Sequence, residues 1–284
     1  MRSAGGLQSV PSAAPHAVTV IACAIAVHQR ARLSDATRGR ANLRLVESFD
    51  QLRRALRSTI DDADVIVLPP RDATGSEAVQ LIRELVTERP RVAIVAYCQA
   101  GSQHSTDIRA LAAAGVHQFV FNGIDDSGVA FRAVLDSARR HCGAEWVMQQ
   151  LAPVVPASLH PMIEAVLAAP DVVTNVPALA SALRLHRKTL FNRCERAAFV
   201  APAELVTWAR LALVAYLLET TGCSVETIAM ELSYPSDTSL RNAMKRYTGQ
   251  RASEVRERGG VETVVRALHR RLNDGRPGGT LHLL

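Results

Sequence analysis

The cysteines and histidines of this 284-residue chain form no cluster of the kind that binds a metal. The cysteines are five, an odd number, and no two of them make a CxxC pair; the nine histidines show no HxxxH spacing. We therefore expect reduced thiols, no disulfide framework, no zinc site, no cofactor and a cytoplasmic protein. The cysteines are Cys23, Cys98, Cys142, Cys194 and Cys223.

The chain also has no apolar run long enough to span a bilayer. The longest, at residues 17–27, is about half the length that a membrane helix needs, and no basic region comes directly before it. This run is predicted to be a buried strand rather than a signal peptide, and we expect no association with membranes.

The loops that mark common enzyme classes are missing too. The sequence has no GxSxG, GxGxxG or GxxxxGK[ST] loop, and no convincing pair of carboxylates or Cys–His arrangement. An enzyme with a catalytic N-terminal half is therefore a remote alternative. The net charge of +6 leans toward nucleic acid, but it is too mild to indicate DNA by itself.

What the C-terminal half does contain is one pattern that occurs twice, about 50 residues apart. Each copy has small and apolar residues at helical spacing, then a short turn, then a second amphipathic helix. The turns fall at Arg184 and at Ser233. One copy could be any pair of packed helices, but two copies in register predict two helix-turn-helix DNA readers. The first helices carry Val176, Leu179, Ala180 and Leu183, and Val225, Ile228, Ala229 and Leu232.

The second helix of each copy is predicted to bury one face and to present the other to DNA. Leu190 and Cys194 are the expected core residues in the first copy, and Leu240 and Met244 in the second. A helix with such a polar outer face can enter a major groove and meet base edges. The outward residues are Arg187, Lys188, Phe191 and Asn192, and Asp237, Thr238, Arg241 and Asn242.

A single long helix is predicted between the two copies. It begins at Pro202, continues with apolar residues at helical spacing, and ends at residues 220–222. Its length of about 17 residues corresponds to about 25 Å. Because neighbouring major grooves on one face of B-DNA lie about 34 Å apart, this helix would let one chain place both readers in adjacent grooves.

Residues from about 158 to 258 resemble the AraC/XylS family of transcription factors. The resemblance implies binding to asymmetric or direct-repeat sites in double-stranded promoter DNA and recruitment or positioning of RNA polymerase. It rests on Leu179, Ala180, Leu183, Lys188, Thr189, Leu190, Asn192, Arg193, Ala201, Pro202, Arg210, Leu211, Leu217, Leu218, Ser224, Val225, Ile228, Ala229, Leu232, Ser239, Leu240, Lys245, Arg246, Tyr247 and Gly249.

The sequence departs from the family pattern in the turns and late in each reading helix. The usual turn glycine is Arg184 in the first copy and Ser233 in the second; a side chain there adds strain if the backbone needs a positive φ. Cys194 and Met244 replace an aromatic core residue, and Ala252 replaces a proline after the second reader.

The family resemblance also assigns roles to the outward side chains. Phe191 is expected on a thymine methyl, Arg241 on a guanine and either asparagine on an adenine. Phe191 could instead be a core residue, and Lys188 and Arg241 could touch only phosphate. The base-reading candidates are Lys188, Phe191, Asn192, Thr238, Arg241 and Asn242. The phosphate candidates are Arg187, Arg193, Arg196, Lys245 and Arg246.

The N-terminal half alternates apolar segments of strand length with helical patterns. Five buried strands alternating with amphipathic helices predict a parallel sheet covered on both faces, an α/β three-layer sandwich of flavodoxin-like type. The strands are predicted at 18–24, 43–46, 64–68, 92–97 and 118–122, and the helices at 49–58, 76–88, 106–114 and 126–141.

This rhythm is similar to the receiver domain of response regulators, over about residues 16–142. The residues that phosphorylation would need are absent. The acidic cluster after the first strand is replaced by residues 21–24, and the phosphate-accepting Asp, the hydroxyl residue and the Lys by Pro69, Ala96 and Asn122. Without these oxygen ligands and this nucleophile, the domain is predicted to be a pseudo-receiver, with no bound metal.

The sequence is compatible with three ways in which such a domain could control the readers. A ligand would bind beyond the carboxyl ends of the strands, near Gln99, His104, Asp125 and Asp126, although these loops are as readily explained as solvated surface. Alternatively, the fourth and fifth helices make a homodimer. A third alternative is phosphorylation at a non-standard residue such as Asp72.

The remaining segments complete the expected domain organisation. Residues 1–15 are predicted to be disordered, 143–157 to be a linker, and 259–284 to form a helix, at 261–272, and a tail. One side of that helix carries Arg266, Arg270 and Arg271, a basic face expected in solvent.

Overall fold

The computed structural model describes residues 18–23, 25–57, 63–101 and 104–274. The start of the chain, predicted to be disordered, lies outside these ranges, as does the tail after Asp274.

The N-terminal half is built on one five-stranded parallel sheet with the strand order β2-β1-β3-β4-β5. Two of the three interior strands, β3 and β4, are buried along their whole length, as expected for strands covered on both sides. The predicted flavodoxin-like fold is confirmed. The strands are β1 Val18–Cys23, β2 Ala41–Val46, β3 Val65–Leu68, β4 Ala93–Cys98 and β5 Gln118–Phe121.

Helices cover both faces of this sheet and create two separate cores. Alternation along β1 sends Val20 and Ala22 to the core under α1 and α5, and Ile21 and Cys23 to the core under α2, α3 and α4. The helices are α1 Val27–Thr37, α2 Phe49–Arg57, α3 Ala78–Glu88, α4 Ser105–Ala114 and α5 Gly128–Leu151.

Helix α1 has no counterpart among the predicted helices. Two of its four buried residues, Gln29 and Thr37, are polar, so the apolar pattern along this stretch is weak. The Gln29 side chain accepts a hydrogen bond from the Ala26 backbone N–H at 3.0 Å, which caps the helix.

Helix α5 differs most from the sequence expectation. The predicted helix ends at residue 141 and a linker follows, yet α5 continues to Leu151. Cys142 packs in the core of the sheet, whereas Trp146, Val147 and Leu151 belong to the core of the C-terminal half. One helix of 24 residues, about 36 Å long, therefore serves both halves. A short 3-10 turn, Ala157–Leu159, leads to the next helix.

The C-terminal half is all helical and packs around one central helix, α9. Thirteen of the 19 residues of α9 are buried, and it begins at Pro202, as predicted. No helix in the described ranges is long and apolar enough to cross a membrane. The helices are α6 His160–Ala168, α7 Val176–Ala182, α8 Arg187–Arg196, α9 Pro202–Thr220, α10 Val225–Glu231, α11 Asp237–Thr248, α12 Ala252–Glu257 and α13 Gly260–Asp274.

Candidate nucleic-acid interface

Two helix-turn-helix units flank α9. The first consists of α7 and α8 and is called reader 1; the second consists of α10 and α11 and is called reader 2. Side chains cap the helix starts: Asn175 and Ser224 accept backbone N–H groups at 3.0 Å, and Ser236 accepts one at 3.1 Å. These caps fix where each short helix begins.

The two turns have the same backbone conformation. Arg184 has φ 52° and Ser233 has φ 53°, so the two residues in place of the usual glycine lie in the left-handed region. In each turn the backbone N–H of the next residue donates a hydrogen bond to the first helix of the unit. Leu185 donates to the Ala180 carbonyl at 2.9 Å, and Tyr234 donates to the Ala229 carbonyl at 2.8 Å. The turns therefore require the conformation that glycine adopts most readily.

The cores of the two units also match position by position. Leu190 and Leu240 are fully buried, and Cys194 and Met244 occupy equivalent places one turn later, both at most 2% exposed. These four residues are where the repeat predicts the core. Two sulfur-containing side chains, neither of them aromatic, thus fill these interior positions.

The outer faces carry the expected reading residues. Lys188 in reader 1 and Thr238, Arg241 and Asn242 in reader 2 are exposed, and Asn192 is half-buried. Phe191 is 49% exposed, so it is not a core residue. Its open position is unusual for a phenylalanine and places an apolar group on the face of α8 that carries Lys188.

The candidate phosphate contacts surround these faces. Lys245 is exposed, and its ammonium donates to the Gly249 carbonyl at 2.7 Å, where it also caps the negative end of α11. Among the other candidates, Arg193 is half-buried and the rest are exposed: Arg187, Arg196 and Arg246.

An acidic residue at the start of α11 contacts two of the reader 2 candidates. The Arg241 Nε donates to Asp237 Oδ2 at 3.2 Å, and the Thr238 hydroxyl donates to Asp237 Oδ1 at 3.3 Å. The hydrogen bond from Arg241 lowers the pKa of Asp237, so this carboxylate stays charged at neutral pH. The ion pair between Asp237 and Arg241 is predictable from the sequence, because residues at positions i and i+4 are neighbours on a helix.

Two arginines, the buried Arg210 and the exposed Arg256, attach reader 2 to α9. The Arg210 guanidinium lies 4.1 Å above the Tyr234 ring and donates to the Leu232 carbonyl, the last residue before the turn. On the other side, Arg256 donates to the Leu218 carbonyl at 3.0 Å and to the Cys223 carbonyl at 2.5 Å. Both ends of α10 are therefore held against α9.

The basic side of α13 is partly engaged in ion pairs. Arg271 pairs with Glu204 of α9 at 3.0 Å, and Arg266 with Glu262 at 2.8 Å. Arg270 is exposed. The three arginines are all exposed, so the basic face lies in solvent as expected, and two of them are held in ion pairs.

The carboxyl edge of the sheet, where a receiver would be phosphorylated, contains a cavity of about 290 Å³. Gln99 and His104 line it, as predicted for a ligand site. Asp126 does not, which corrects that expectation: it is 3% exposed and accepts hydrogen bonds from Arg32 and the Tyr97 hydroxyl. Asp125 likewise accepts the Phe121 backbone N–H, at 2.5 Å.

The chain combines a flavodoxin-like α/β domain with a helical domain that contains two helix-turn-helix units. A family model described as a helix-turn-helix domain matches residues 179–258, which span both units. Residues 179–258 therefore form a helix-turn-helix domain of the kind that binds DNA in transcriptional regulators. No curated protein matches the chain.

Solved structures resemble the chain only in part. FixJ from B. japonicum is 13% identical, with 66% of this chain and 94% of that chain covered and a TM-score of 0.40. RcsB from Salmonella enterica serovar Typhimurium, bound to promoter rprA, is 14% identical, with 67% and 98% covered and a TM-score of 0.36. A response regulator from Burkholderia pseudomallei is 18% identical, with 61% and 96% covered and a TM-score of 0.37.

Proposed function

We propose that this chain is a sequence-specific transcriptional regulator that reads two adjacent major grooves of double-stranded promoter DNA. The observation that carries the proposal is the pair of readers with matching turns and cores, fixed to one buried helix. Helix α9 has 19 residues, about 28 Å, close to the separation of successive major grooves. A rigid spacer of this length supports simultaneous binding of both readers.

The proposed contacts follow from what each exposed side chain can do. Arg241 donates to a guanine, Asn192 and Asn242 bind adenines, and Phe191 packs on a thymine methyl. Lys188 and Thr238 complete the two base-reading faces. The phosphate candidates set the register without reading sequence.

The second part of the proposal is that the sheet domain controls DNA binding by the readers. Direct contacts connect this domain to α9, the helix between the readers. Arg91, two residues before β4, lies 3.9 Å above the Trp146 ring of α5 and 2.8 Å from Glu219 of α9. Helix α5 also packs tightly on α9: a Cβ added at Gly143 would lie 2.5 Å from the Tyr216 ring. A ligand, a partner or a homodimer contact that shifts the sheet domain would therefore shift the spacer between the readers.

The alternative of phosphorylation at Asp72 has less support. Its two carboxylate oxygens accept the Phe49 N–H at 3.1 Å, the Thr74 hydroxyl at 2.6 Å and two further backbone N–H groups. Burial raises the pKa of Asp72, but these hydrogen bonds outweigh it and leave the pKa lowered. The carboxylate braces the loop after β3, which is a structural role. RNA polymerase as a further partner rests on the family resemblance alone.

The proposal can be tested with the full-length chain and a library of random duplexes. Selection should recover a site with two half-sites about one helical turn apart. Arg241→Ala should then cost about 1–3 kcal/mol and relax the preference at one base pair, while Arg246→Ala should weaken binding to all sequences. If Arg241→Ala changed neither affinity nor base preference at fixed salt, the assigned orientation of α11 would be wrong.

The path from the sheet domain can be tested separately. Arg91→Ala removes the contact with Trp146 and Glu219, and we expect the affinity for the selected site to change by about threefold or more, roughly 0.7 kcal/mol. Arg83→Ala, an exposed arginine on α3, is the matched control and should leave affinity unchanged. Equal affinities for both variants would argue against this path.

A further inference from the structure

The first turn of α11 contains a carboxylate where a DNA-facing helix would be expected to avoid one. Asp237 lies four residues before Arg241, on the same face of the helix, and its side chain is 38% exposed. Close to phosphates a negative charge costs affinity, so Asp237 lowers DNA binding by this helix unless it improves a contact that a neighbouring side chain makes. The equivalent position in reader 1, 50 residues earlier, is Arg187.

The hydrogen bonds of Asp237 show what it does to its neighbours. It binds Arg241 through Nε, at 3.2 Å, so the ion pair uses neither of the terminal Nη nitrogens. Its other oxygen accepts the Thr238 hydroxyl at 3.3 Å. A free arginine has many rotamers, and ordering it on binding costs affinity; an arginine already held by its Nε presents both Nη groups as a fork.

We propose that Asp237 is a specificity-determining residue of reader 2, which holds Arg241 for end-on, bidentate recognition of one guanine. The inference rests on the proposed function, since it assigns a role within the same reading face. The Asp237 carboxylate also repels phosphate oxygens and the acceptor atoms of bases. A misplaced α11 therefore loses more binding free energy than the same helix would lose without this carboxylate. Such a repulsive element raises discrimination while it lowers overall affinity.

The test compares four full-length proteins: wild type, Asp237→Asn, Arg241→Ala and the double variant. The probes are the duplex selected by the wild type, its single-base-pair substitutions, and a random-sequence duplex, all at one salt concentration. Asp237→Asn should bind the random duplex about threefold more tightly, because one negative charge is removed from the face. It should also lower, by about fivefold or more, the preference for guanine at the base pair that Arg241 contacts.

The double variant shows whether Asp237 acts through Arg241. If it does, Asp237→Asn changes no base preference in the Arg241→Ala background. Glu262→Gln is the matched control, because Glu262 makes the same i,i+4 ion pair with Arg266 on α13. This variant can raise affinity through charge but should leave every base preference intact.

The outcomes separate this inference from the proposed function. If Asp237→Asn and Glu262→Gln give the same base preferences as wild type while Arg241→Ala loses one, Asp237 is only a helix-stabilising partner and the inference is wrong. If Arg241→Ala also keeps every preference, the assigned reading face is wrong. If the wild type selects no sequence at all, the proposed function itself fails.

Discussion

The two readers are alike inside and different outside. Both turn residues, Arg184 and Ser233, have a φ close to 52°, and both reading helices bury a leucine and then a sulfur-containing residue four positions later. Their outer faces share an asparagine but little else. Reader 1 presents an exposed phenylalanine, Phe191, where reader 2 presents Arg241.

The buried residues of each unit determine its backbone, while the exposed residues are free to determine what it binds. An apolar face such as Phe191 favours thymine, and a guanidinium favours guanine. Two readers of different preference, joined in a fixed order, define an asymmetric site. We therefore expect the chain to distinguish the two orientations of its site without a second copy.

The largest expected effect tests whether the buried cores of reader 1 and reader 2 are equivalent. Leu190→Ala and Leu240→Ala each remove a fully buried side chain, and each should lower the free energy of unfolding by about 2–5 kcal/mol. Urea denaturation monitored by circular dichroism measures both. Met230→Ala, at a residue 77% exposed, is the control and should change stability by less than about 0.5 kcal/mol. A small loss at one leucine and a large one at the other would show that the two cores are not equivalent.

The likeness of the readers could be predicted from the sequence because it depends on helical periodicity. Leu190, Leu240 and the start of α9 at Pro202 all follow from local pattern, and so do the five strands of the sheet. The strand positions agree within about two residues, because each buried strand is a continuous apolar run between turn signals.

What could not be predicted depends on tertiary contacts or on weak patterns. Helix α1 buries Gln29 and Thr37, two polar residues that the sequence pattern predicts to be exposed. Helix α5 passes from one core to another between Cys142 and Trp146, so its apolar residues face two different partners. The helical pattern therefore predicts an end ten residues before the observed one, Leu151. The contact of Arg91 with Glu219 joins residues 128 positions apart, for which the sequence carries no local signal.

A smaller effect should sharpen the contrast between the outer faces. Phe191→Ala removes an apolar contact to a base, and we expect a loss of about 1–2 kcal/mol in binding to the selected site with no change in the salt dependence. Arg196→Ala, which changes a phosphate candidate on the same helix, should lower the salt slope by about 1. Binding isotherms at four salt concentrations measure both. A salt slope altered by Phe191→Ala, or a base preference unaffected by it, would contradict the contact with a thymine methyl.

The smallest expected effect concerns the turns, where both readers depart from glycine. At a φ of 53°, the side chain of Ser233 crowds the backbone, at a cost of about 1–2 kcal/mol. Glycine removes this strain, but it gains more freedom in the unfolded chain, which offsets about 0.5–1 kcal/mol. Ser233→Gly should therefore stabilise the protein by about 0.5–1 kcal/mol, and Arg184→Gly, at a φ of 52°, by a similar amount. Ser181→Gly makes the same exchange inside α7 and should instead destabilise. Both serines are exposed, and Ser233 has a positive φ whereas Ser181 is helical. Opposite signs at Ser233 and Ser181 in denaturant melts would attribute the gain to the turn, and equal signs would refute the strain.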